Sequence, residues 1–336
     1  MPSAMEKETR EIPEIVERIL KSKNIFDDAA SYLQKLNPPM VLLCARGSSA
    51  HAGVYIRQLI ETLLGIPVYE LAPSIVTAYE RLPAVPGAVM LILSQSGGSP
   101  DLLAVAGAAS DKKIPVIAIV NNTSSPLASA ADLVIPMAAG PELAVAATKS
   151  VAATMIAGLQ LIIAWTQDTK LLEETKHLQQ RIEQSIQLDW SIWGKTLIGV
   201  RAAFVSSRGY GLSVAREIAL KITETLRVPS IGESAAELMH GPRAAIGNSS
   251  STLVLRLADK TAVSVDNFCD ALKRCDIHFM SVGGTKGTLP WIGDGNNALD
   301  PLCWLPPAYL ALEQTARECG LDPDHPPVLT KVTLTF

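Results

Sequence analysis

Short aliphatic runs alternate with longer helical patterns along the chain. Runs of this length predict buried strands, and the longer stretches predict helices. In the first half the predicted strands are 41–44, 88–93, 116–120 and 133–136, and the predicted helices are 49–64, 100–110 and about 144–165. This alternation is typical of βαβ units that build a parallel sheet covered on both faces, in which ligands bind beyond the carboxyl ends of the strands.

The beginning of this pattern is repeated in the second half. The runs 41–44 and 202–205 are each followed by an Arg-Gly pair with flanking serines, by a helical stretch containing Glu-Thr-Leu, and by a proline. The apolar run 252–257 continues into Ala-Asp-Lys-Thr, whereas the run 88–93 continues into a serine-rich loop. We therefore expect an α/β protein with two tandem doubly wound, flavodoxin-like subdomains and parallel sheets, which differ in function.

Changes in this pattern divide the chain into five predicted segments. An N-terminal helical region, broken early by Pro13, precedes the first subdomain, and a helical linker rich in charge and glutamine precedes the second. The predicted ranges are 1–36 for the N-terminal region, 37–165 for the first subdomain, 166–198 for the linker, 199–325 for the second subdomain and 326–336 for a C-terminal tail.

Composition excludes several classes of protein. Of the 336 residues, 48% are hydrophobic and 18% are charged, which supports large cores and argues against disorder. The net charge of −4, without blocks of like charge, indicates no nucleic-acid or membrane-surface partner. The run 151–165 is too short for a membrane span and predicts a buried core helix. Because there is no signal-peptide pattern, and because the five cysteines are scattered without metal-ligand spacing, we expect a cytoplasmic protein without a metal site.

The densest group of candidate ligand-binding residues follows the second apolar run. Ser94, Gln95, Ser96 and Ser99 lie within six positions of one another, and Ser99 is the predicted N-cap of a helix that begins at Pro100. Backbone N–H groups at a helix N-terminus, together with uncharged hydroxyl donors, suit a phosphate monoester that must bind and leave. An ordinary serine- and glycine-rich turn is the alternative.

A second loop has the same character. Gly47 allows close approach of the backbone, and Ser48 and Ser49 lead into the next helix. Two such loops from adjacent strands can converge on one phosphate, although simple N-capping by either serine is an alternative. Neither loop has the lysine and spacing of an ATP-binding P-loop, and no Gly-x-Gly-x-x-Gly opens a helix, which disfavours a dinucleotide.

Candidate acid–base residues lie in the second half. Glu217, Lys221 and Glu224 fall on one stripe of a predicted helix, where a solvated ion pair is the alternative. His240 precedes a Gly-Pro helix stop, a position that stabilises an imidazolium and suits a proton donor, and a capping histidine is the alternative. Lys331 lies in a proline-rich, extended tail that can cross a site, although an exposed lysine is the default interpretation.

Together these motifs resemble the SIS (sugar isomerase) domain family, in particular the isomerase half of glutamine–fructose-6-phosphate amidotransferase. The resemblance covers nearly the whole chain. It is carried by Met5-Glu6-Lys7-Glu8, Gly47-Ser48-Ser49, Ser94-Gln95-Ser96-Gly97, Glu142 with Val145-Ala146-Ala147-Thr148-Lys149, Glu217–Glu224, Glu237-Leu238-Met239-His240-Gly241-Pro242, and Asp324-His325-Pro326 with Lys331.

The resemblance implies a role for each matching residue. It implies that a sugar phosphate is bound by Gly47, Ser48, Ser49, Ser94, Gln95, Ser96 and Ser99, and that Val145 and Ala146 contact the substrate. It also implies that Glu224 moves a proton between C1 and C2, that Lys221 and Glu217 assist from the same helix, that His240 opens the sugar ring in a neighbouring subunit's site, and that Lys331 meets the open-chain sugar. A homodimer is implied, and no metal or cofactor, because enolisation needs only a base, an acid and electrophilic stabilisation.

The chain departs from the amidotransferase pattern at several positions. No N-terminal cysteine nucleophile precedes the isomerase region, Ala147 stands where serine is usual, and Pro327-Val328 stands where Arg-Asn is usual. Gly98-Ser99-Pro100-Asp101 is more similar to stand-alone deaminases of amino-sugar phosphates. The expected reaction is therefore glucosamine 6-phosphate and water to fructose 6-phosphate and ammonia. The alternatives are galactosamine 6-phosphate, a fructosamine 6-phosphate deglycase reaction, ammonia-dependent synthesis of glucosamine 6-phosphate, and a non-catalytic sugar-phosphate sensor.

Overall fold

The computed structural model describes residues 2–83, 85–284, 287–293 and 295–331. In these ranges the chain forms two all-parallel sheets and a set of helices. The strands are β1 Val41–Ala45, β2 Val68–Glu70, β3 Val89–Ser94, β4 Val116–Val120, β5 Leu133–Pro136, β6 Ala202–Ser207, β7 Ser230–Ser234, β8 Ser250–Leu255 and β9 Met280–Val282. The expected α/β class with parallel sheets is confirmed.

The helices follow the strands in alternation within each sheet. They are α1 Ala4–Arg10, α2 Ile12–Lys21, α3 Lys23–Leu36, α4 Gly47–Leu59, α5 Ser74–Thr77, α6 Pro100–Asp111, α7 Pro126–Ala130, α8 Lys149–Thr166, α9 Thr169–Thr175, α10 Leu178–Ser185, α11 Ser191–Lys195, α12 Gly211–Leu226, α13 Ala235–Met239, α14 Ala262–Arg274 and α15 Asp300–Glu318. A π-helical turn, Ile60–Leu64, continues α4, and a 3₁₀ turn, Pro242–Ala245, follows α13.

The two sheets have the same strand order. The first is β2-β1-β3-β4-β5 and the second is β7-β6-β8-β9, so the second sheet repeats the first four positions of the first sheet. Among the described residues it has no counterpart of β5. The shared order is the structural equivalent of the repeat seen in the sequence.

The predicted strands agree with the observed ones to within two residues, and the unpredicted strands are short. β2 and β9 have three residues each, and β2 and β7 present half-exposed or exposed side chains such as Tyr69 and Ile231. A strand of this kind has no continuous apolar run, so the pattern that identifies buried strands does not apply to it.

One helix prediction is wrong. The helix predicted from about 144 begins only at Lys149, because the preceding backbone N–H groups are bound elsewhere: those of Leu143 and Ala144 donate to the Glu8 carboxylate, and that of Val145 donates to the Asp324 carbonyl.

Pro13 is the second residue of α2, where a missing N–H costs no intrahelical hydrogen bond. The predicted early break is confirmed, since the helical region is interrupted at Glu11, directly before the helix that carries Pro13, and it is interrupted again at Ser22.

The chain forms two compact units, and neither is continuous in sequence. The β6–β9 unit contains the residues up to Pro13, Leu143–Thr148 and His177–Leu329. The β1–β5 unit contains Glu14–Glu142, Lys149–Lys176 and, at the end of the described residues, Thr330 and Lys331. The segment predicted as a linker, 166–198, is largely helical and is divided between the two units after Lys176.

The helix α8 is buried in the β1–β5 unit, where it packs against α3 and α4. By length and composition α8 could cross a membrane, but 89% of it is buried inside the protein, as predicted for a core helix. Gly158 is required where α4 approaches, since a Cβ there would lie 2.4 Å from Cγ1 of Ile56. Cys44 is a core thiol of β1, as expected. In the β6–β9 unit the long helix α15 packs against α1, α10, α11 and α12.

Candidate active site

The β3–α6 loop has the predicted layout. Ser94 is the last residue of β3, Ser99 is the N-cap of α6, and Pro100 is the first helical residue. The buried Ser94 hydroxyl accepts a hydrogen bond from the Gly97 N–H at 3.1 Å, and the Ser96 hydroxyl accepts one from the Gly98 N–H at 3.3 Å. The loop is therefore ordered by its own serines, and each of these hydroxyls keeps its proton for a further acceptor.

Gly97 fixes the path of this loop. Its φ is +65°, and a Cβ there would lie only 2.0 Å from the Ser125 hydroxyl oxygen. Its carbonyl accepts the Leu127 N–H at 3.0 Å, while Ser125 caps α7 through the Ala128 N–H at 3.2 Å. Only glycine fits between these contacts, so the loop is clamped against the start of α7.

The β1–α4 loop lies beside it. β1 and β3 are neighbouring parallel strands with Ala45 opposite Leu93, so both loops leave the same edge of the sheet. Gly47 has a φ of +50°, and no described atom lies within 4 Å of the position its Cβ would take. Ser48 and Ser49 occupy the first turn of α4 and are half-buried. The predicted residues of the two loops, 47–49 and 94–99, are called the cradle below.

An ion pair that was not predicted connects the helices at the cradle. The Nε of Arg46 donates to Oδ2 of Asp101 at 2.7 Å, and the Leu102 N–H donates to Oδ1 at 2.8 Å. The Asp101 side chain is 1% exposed and the Arg46 side chain is 50% exposed. Burial, and then the charge of Asp101, raises the pKa of the Cys44 thiol to about 12, so this thiol stays protonated near neutral pH.

The tail lysine is held by a buried carboxylate. The Nζ of Lys331 donates to Oε2 of Glu142 at 2.8 Å, and Glu142 also accepts the Ser150 N–H at 3.0 Å and its hydroxyl at 2.7 Å. Burial alone would raise the pKa of Glu142, but the charge and hydrogen bonds of Lys331 and Ser150 outweigh it and lower the pKa. Glu142 thus remains ionised. The tail is not helical up to Lys331, as predicted.

The stripe on α12 is buried and is not a solvated ion pair. Lys221 is fully buried, its Nζ lies 3.5 Å from Oε1 of Glu217, and it also donates to Oε2 of Glu224. The Tyr309 hydroxyl donates to Glu217 at 3.3 Å. Glu217 is 1% exposed, whereas Glu224 is 19% exposed. Of the two carboxylates, Glu224 is the one that solvent and a ligand can reach.

His240 is the C-cap residue of α13 and is exposed. Its backbone N–H donates to the Glu237 carbonyl at 3.0 Å. The predicted position at a helix C-terminus is confirmed, but α13 has only five residues, so its dipole is small. The exposure of the imidazole leaves it accessible from outside the β6–β9 unit.

Asp324 is a functional candidate that sequence reasoning did not single out. Its carboxylate accepts the N–H groups of Ala4 and Met5 at 2.7 and 2.8 Å, which caps α1, and its carbonyl accepts the Val145 N–H at 3.0 Å. It thereby positions the loop that carries Val145 and Ala146. An Asp before a His-Pro pair was the only available signal, and nothing local indicates partners so far away in sequence.

The structure therefore places the predicted residues in two sets. The cradle and Lys331 belong to the β1–β5 unit, whereas the α12 stripe, His240, Val145 and Ala146 belong to the β6–β9 unit. In the described ranges no group of three or more His, Cys, Asp and Glu side chains is arranged to hold a metal ion.

Comparison with known proteins agrees with this architecture. The SIS domain model matches residues 37–164, which contain the whole β1–β5 sheet. A protein from Silicibacter pomeroyi, provisionally named a phosphosugar isomerase, is 31% identical over 96% of this chain and 100% of its own, with a TM-score of 0.91. The chain belongs to the SIS domain family.

Other SIS proteins share parts of the chain or its fold. Glutamine–fructose-6-phosphate aminotransferases from Symbiobacterium thermophilum and Rattus norvegicus are 32% and 28% identical over 67% and 79% of this chain. The chain spans only 39% and 41% of the length of these two relatives. A glucosamine-6-phosphate deaminase from Thermotoga maritima has the same fold, with a TM-score of 0.82 at 21% identity over 99% of this chain and 100% of its own.

Proposed function

We propose that this SIS chain is an aldose–ketose isomerase of phosphorylated amino sugars, and that it converts glucosamine 6-phosphate and water to fructose 6-phosphate and ammonia. The observation that carries the proposal is the α12 stripe, in which a fully buried lysine lies against one buried and one accessible carboxylate. Such a set is costly to bury and is typical of sites that move protons. The cradle supports a phosphorylated ligand, because it offers hydroxyl and backbone donors at two helix N-termini.

The reaction assigns one step to each candidate residue. His240 transfers the proton that opens the ring. Glu224 then removes the proton from C2 of the open aldose while the C1 carbonyl oxygen gains a proton, which gives an enolamine. Return of the proton from Glu224 to C1 converts the enolamine to a C2 ketimine, water adds at C2, and the C–N bond breaks to release ammonia and leave the C2 ketone. Lys221 stabilises the developing negative charge on the substrate oxygen. No oxidant or reductant is consumed, and one water enters for each ammonia that leaves.

Charge favours an amine at C2 over a hydroxyl. With all three groups ionised, the two carboxylates Glu217 and Glu224 exceed the single Lys221, so the stripe has a net charge of −1. A substrate ammonium group is stabilised near such a set, whereas a neutral hydroxyl gains less. The Gly98-Ser99-Pro100-Asp101 sequence, which begins in the cradle and continues into α6, resembles deaminases of amino-sugar phosphates and supports the same substrate class.

A direct assay tests the reaction. Purified protein is given glucosamine 6-phosphate, and ammonia and fructose 6-phosphate are measured together, with Glu224→Gln as the matched inactive variant. Equal amounts of both products from the wild type alone are expected. A panel of galactosamine 6-phosphate, fructosamine 6-phosphate, tagatose 6-phosphate, and fructose 6-phosphate with ammonia separates the alternatives. Folded protein that releases no ammonia from any hexosamine 6-phosphate contradicts the proposal.

One observation favours a binding-only role as the second candidate. In the free protein Lys221 donates to Glu224, so the accessible carboxylate is already neutralised by its neighbour. A sugar-phosphate sensor needs the cradle and not a free base. If Glu224→Gln leaves the biological response intact while cradle substitutions abolish it, the sensor interpretation is correct.

We also propose that the chain acts as a homodimer in which His240 serves the partner's site. The exposure of His240 supports this arrangement, since its imidazole is accessible from outside its own unit. Light scattering after size exclusion tests the dimer. Mixing refolded Glu224→Gln and His240→Asn subunits tests the exchange of residues, because a mixed dimer contains one intact site and regains activity. An active monomer, or no regain on mixing, contradicts this assignment.

A further inference from the structure

The cradle offers no charge of its own. Its predicted ligand-binding groups are serine hydroxyls, the Gln95 amide and backbone N–H groups, whereas a phosphate monoester has a charge of about −1.5 to −2 at pH 7. Neutral donors and helix dipoles stabilise only part of that charge. A cation beside the cradle would stabilise the rest of the charge.

Arg46 is that cation. We propose that Arg46 binds the phosphate dianion of the substrate through its Nη atoms while Asp101 holds the guanidinium in place. This inference rests on the proposed function, because it assumes a phosphorylated ligand in the cradle. It adds a phosphate-binding residue, Arg46, and a positioning residue, Asp101, neither of which was among the predicted site residues.

The position of Arg46 follows from the strand register. Ala45 lies opposite Leu93, so Arg46 leaves β1 beside the point where Ser94 ends β3. It directly precedes Gly47 and forms the N-cap of α4. The residue thus lies between the two loops of the cradle, at the edge where phosphate is expected.

The Arg46 guanidinium is oriented by Asp101 and still has N–H donors for a ligand. Its Nε is bound to Asp101 at 2.7 Å, and its Nη atoms make no hydrogen bond with the residues that the structure describes. Half of the side chain is exposed. Because the guanidinium is planar, fixing Nε on one partner directs the Nη atoms toward another, and a phosphate accepts such paired N–H donors well.

Because Asp101 is buried, its negative charge must be balanced by a nearby cation. The carboxylate is 1% exposed, so water screens it poorly, and it lies in the first turn of α6, directly after Ser99. Without Arg46 its negative charge would repel the phosphate dianion at close range. Removing Arg46 should therefore weaken phosphate binding more than the loss of its hydrogen bonds alone, and removing Asp101 as well should restore part of the affinity.

A purely structural role for the pair predicts a different pattern. If Arg46 only ties α4 to α6, breaking the pair from either side should weaken binding similarly, and the double variant should be no better than Arg46→Gln. A double-mutant cycle with phosphate affinity as the readout separates the two roles.

The experiment measures the binding of inorganic phosphate and of glucosamine 6-phosphate to the full chain by calorimetry at low salt. The variants are Arg46→Gln, Asp101→Asn, the double variant, and Arg57→Gln as a control. Arg57 lies on the same helix and pairs with Glu70 at 2.8 Å. We expect Arg46→Gln to lose about 10- to 100-fold in affinity for both probes, as expected for charged hydrogen bonds. Asp101→Asn should lose much less, the double variant should recover at least threefold over Arg46→Gln (about 0.7 kcal/mol), and Arg57→Gln should bind normally.

A second variant, Arg46→Lys, is included in case Arg46→Gln does not fold. It keeps the positive charge beside Asp101 but loses the paired N–H donors of the guanidinium. It should melt near the wild-type temperature and bind phosphate with intermediate affinity. Wild-type affinity in Arg46→Gln or in Arg46→Lys, or no recovery in a folded double variant, overturns the inference while leaving the proposed function standing. If the wild type binds neither probe, the proposed function itself fails.

Discussion

The two sheets repeat one topology, but the loops at their carboxyl ends are filled differently. At Gly47, which follows β1, no described atom lies within 4 Å of the Cβ position. At the equivalent Gly209, which follows β6, the Cβ position is 3.2 Å from Cγ2 of Thr261 and 3.6 Å from Oδ2 of Asp259. The first half leaves this space open, and the second half fills it with its own side chains.

The filling group in the second half is itself an anion. The Asp259 carboxylate accepts the Thr261 N–H at 2.8 Å and also its hydroxyl, so donors at the start of α14 are satisfied within the chain. In the first half the corresponding donors belong to the cradle. The second half thus has a carboxylate next to its glycine at the position that the first half leaves open.

The helices α4 and α12, which follow β1 and β6, differ in the polarity of their buried side chains. On α4 the fully buried positions are occupied by Tyr55, Ile56 and Leu59, whereas α12 buries Glu217 and Lys221. The first half thus keeps an apolar helix and an open loop, and the second half keeps a charged helix and a closed loop. Under the proposed function, substrate binding belongs to the first copy of this architecture and proton transfer to the second.

The largest expected effect comes from Glu224→Gln. Loss of a general base reduces kcat by about 10²- to 10⁴-fold, while the affinity for inorganic phosphate should be unchanged because the cradle is intact. Steady-state kinetics with calorimetry measures both quantities. Thr223→Ala, at an exposed position of the same helix, is the control and should keep kcat. Equal loss of phosphate affinity in Glu224→Gln would contradict the division between the halves.

Lys221→Met should strongly destabilise the protein. It leaves Glu217 buried without its cation, and breaking a buried ion pair from one side lowers the free energy of unfolding by about 3–5 kcal/mol. Urea denaturation measures the loss. The matched variant Glu217→Gln/Lys221→Met removes the orphaned charge and should regain part of the stability. If the double variant is no more stable than Lys221→Met, the burial of charge is not the cause.

Ser96→Ala should raise KM about tenfold with little change in kcat. The hydroxyl that orders Gly98 is lost together with one donor to a charged phosphate, a hydrogen bond of about 1.5 kcal/mol. The control in the second half is Ser264→Ala, in the first turn of α14, which loses the hydrogen bond from Arg208 at 2.7 Å and should leave KM unchanged. Equal effects of the two substitutions would show that both halves bind the substrate.

The Glu142–Lys331 ion pair should make the folded protein more resistant to unfolding by acid. The pKa of Glu142 is lower in the folded than in the unfolded state, so its stabilisation is present above the unfolded value of about 4.3 and is lost as the pH falls through the folded value. In Lys331→Met the effect of burial is no longer opposed by the lysine, and the acid-unfolding midpoint should move to higher pH. Fluorescence at a series of pH values measures it, with the exposed Lys23→Met as control. An unmoved midpoint argues against the pair.

The smallest expected effect is that of Asp259→Asn. It removes the internal anion and should lower the free energy of unfolding by about 1 kcal/mol, because the Asn side chain still accepts one hydrogen bond. Activity and KM should be unchanged. A measurable loss of activity would show that the closed loop of the second half also takes part in the reaction.

The local sequence pattern was sufficient to predict the buried strands and the layout of the cradle. It was not sufficient to predict the ion pair between Arg46 and Asp101 beside them. The run that became β3 and the Ser99-Pro100 start of α6 are short-range signals, and both agree with the structure. Asp101 looked like an ordinary acidic residue at a helix start, yet its partner Arg46 is 55 residues away. Long-range ion pairs have no periodicity, so they emerge only when the fold brings the segments together.

The α12 stripe illustrates the same limit in a different way. Spacing placed Glu217, Lys221 and Glu224 on one face, but a charged stripe on an isolated helix is usually solvated. Its burial depends on α15, which was not predicted and which supplies Tyr309 against Glu217. The chemical meaning of the stripe therefore depends on a helix about 90 residues downstream.

The cap that Asp324 places on α1 has a practical consequence for handling the protein. Cleavage within the first ten residues would remove the N–H groups that donate to the Asp324 carboxylate. Where it also removes Glu8, the hydrogen bonds from the N–H groups of Leu143 and Ala144 are lost as well. The loop that carries Val145 would lose its support although it is distant in sequence. Removal of the first ten residues is therefore expected to alter the behaviour of this chain.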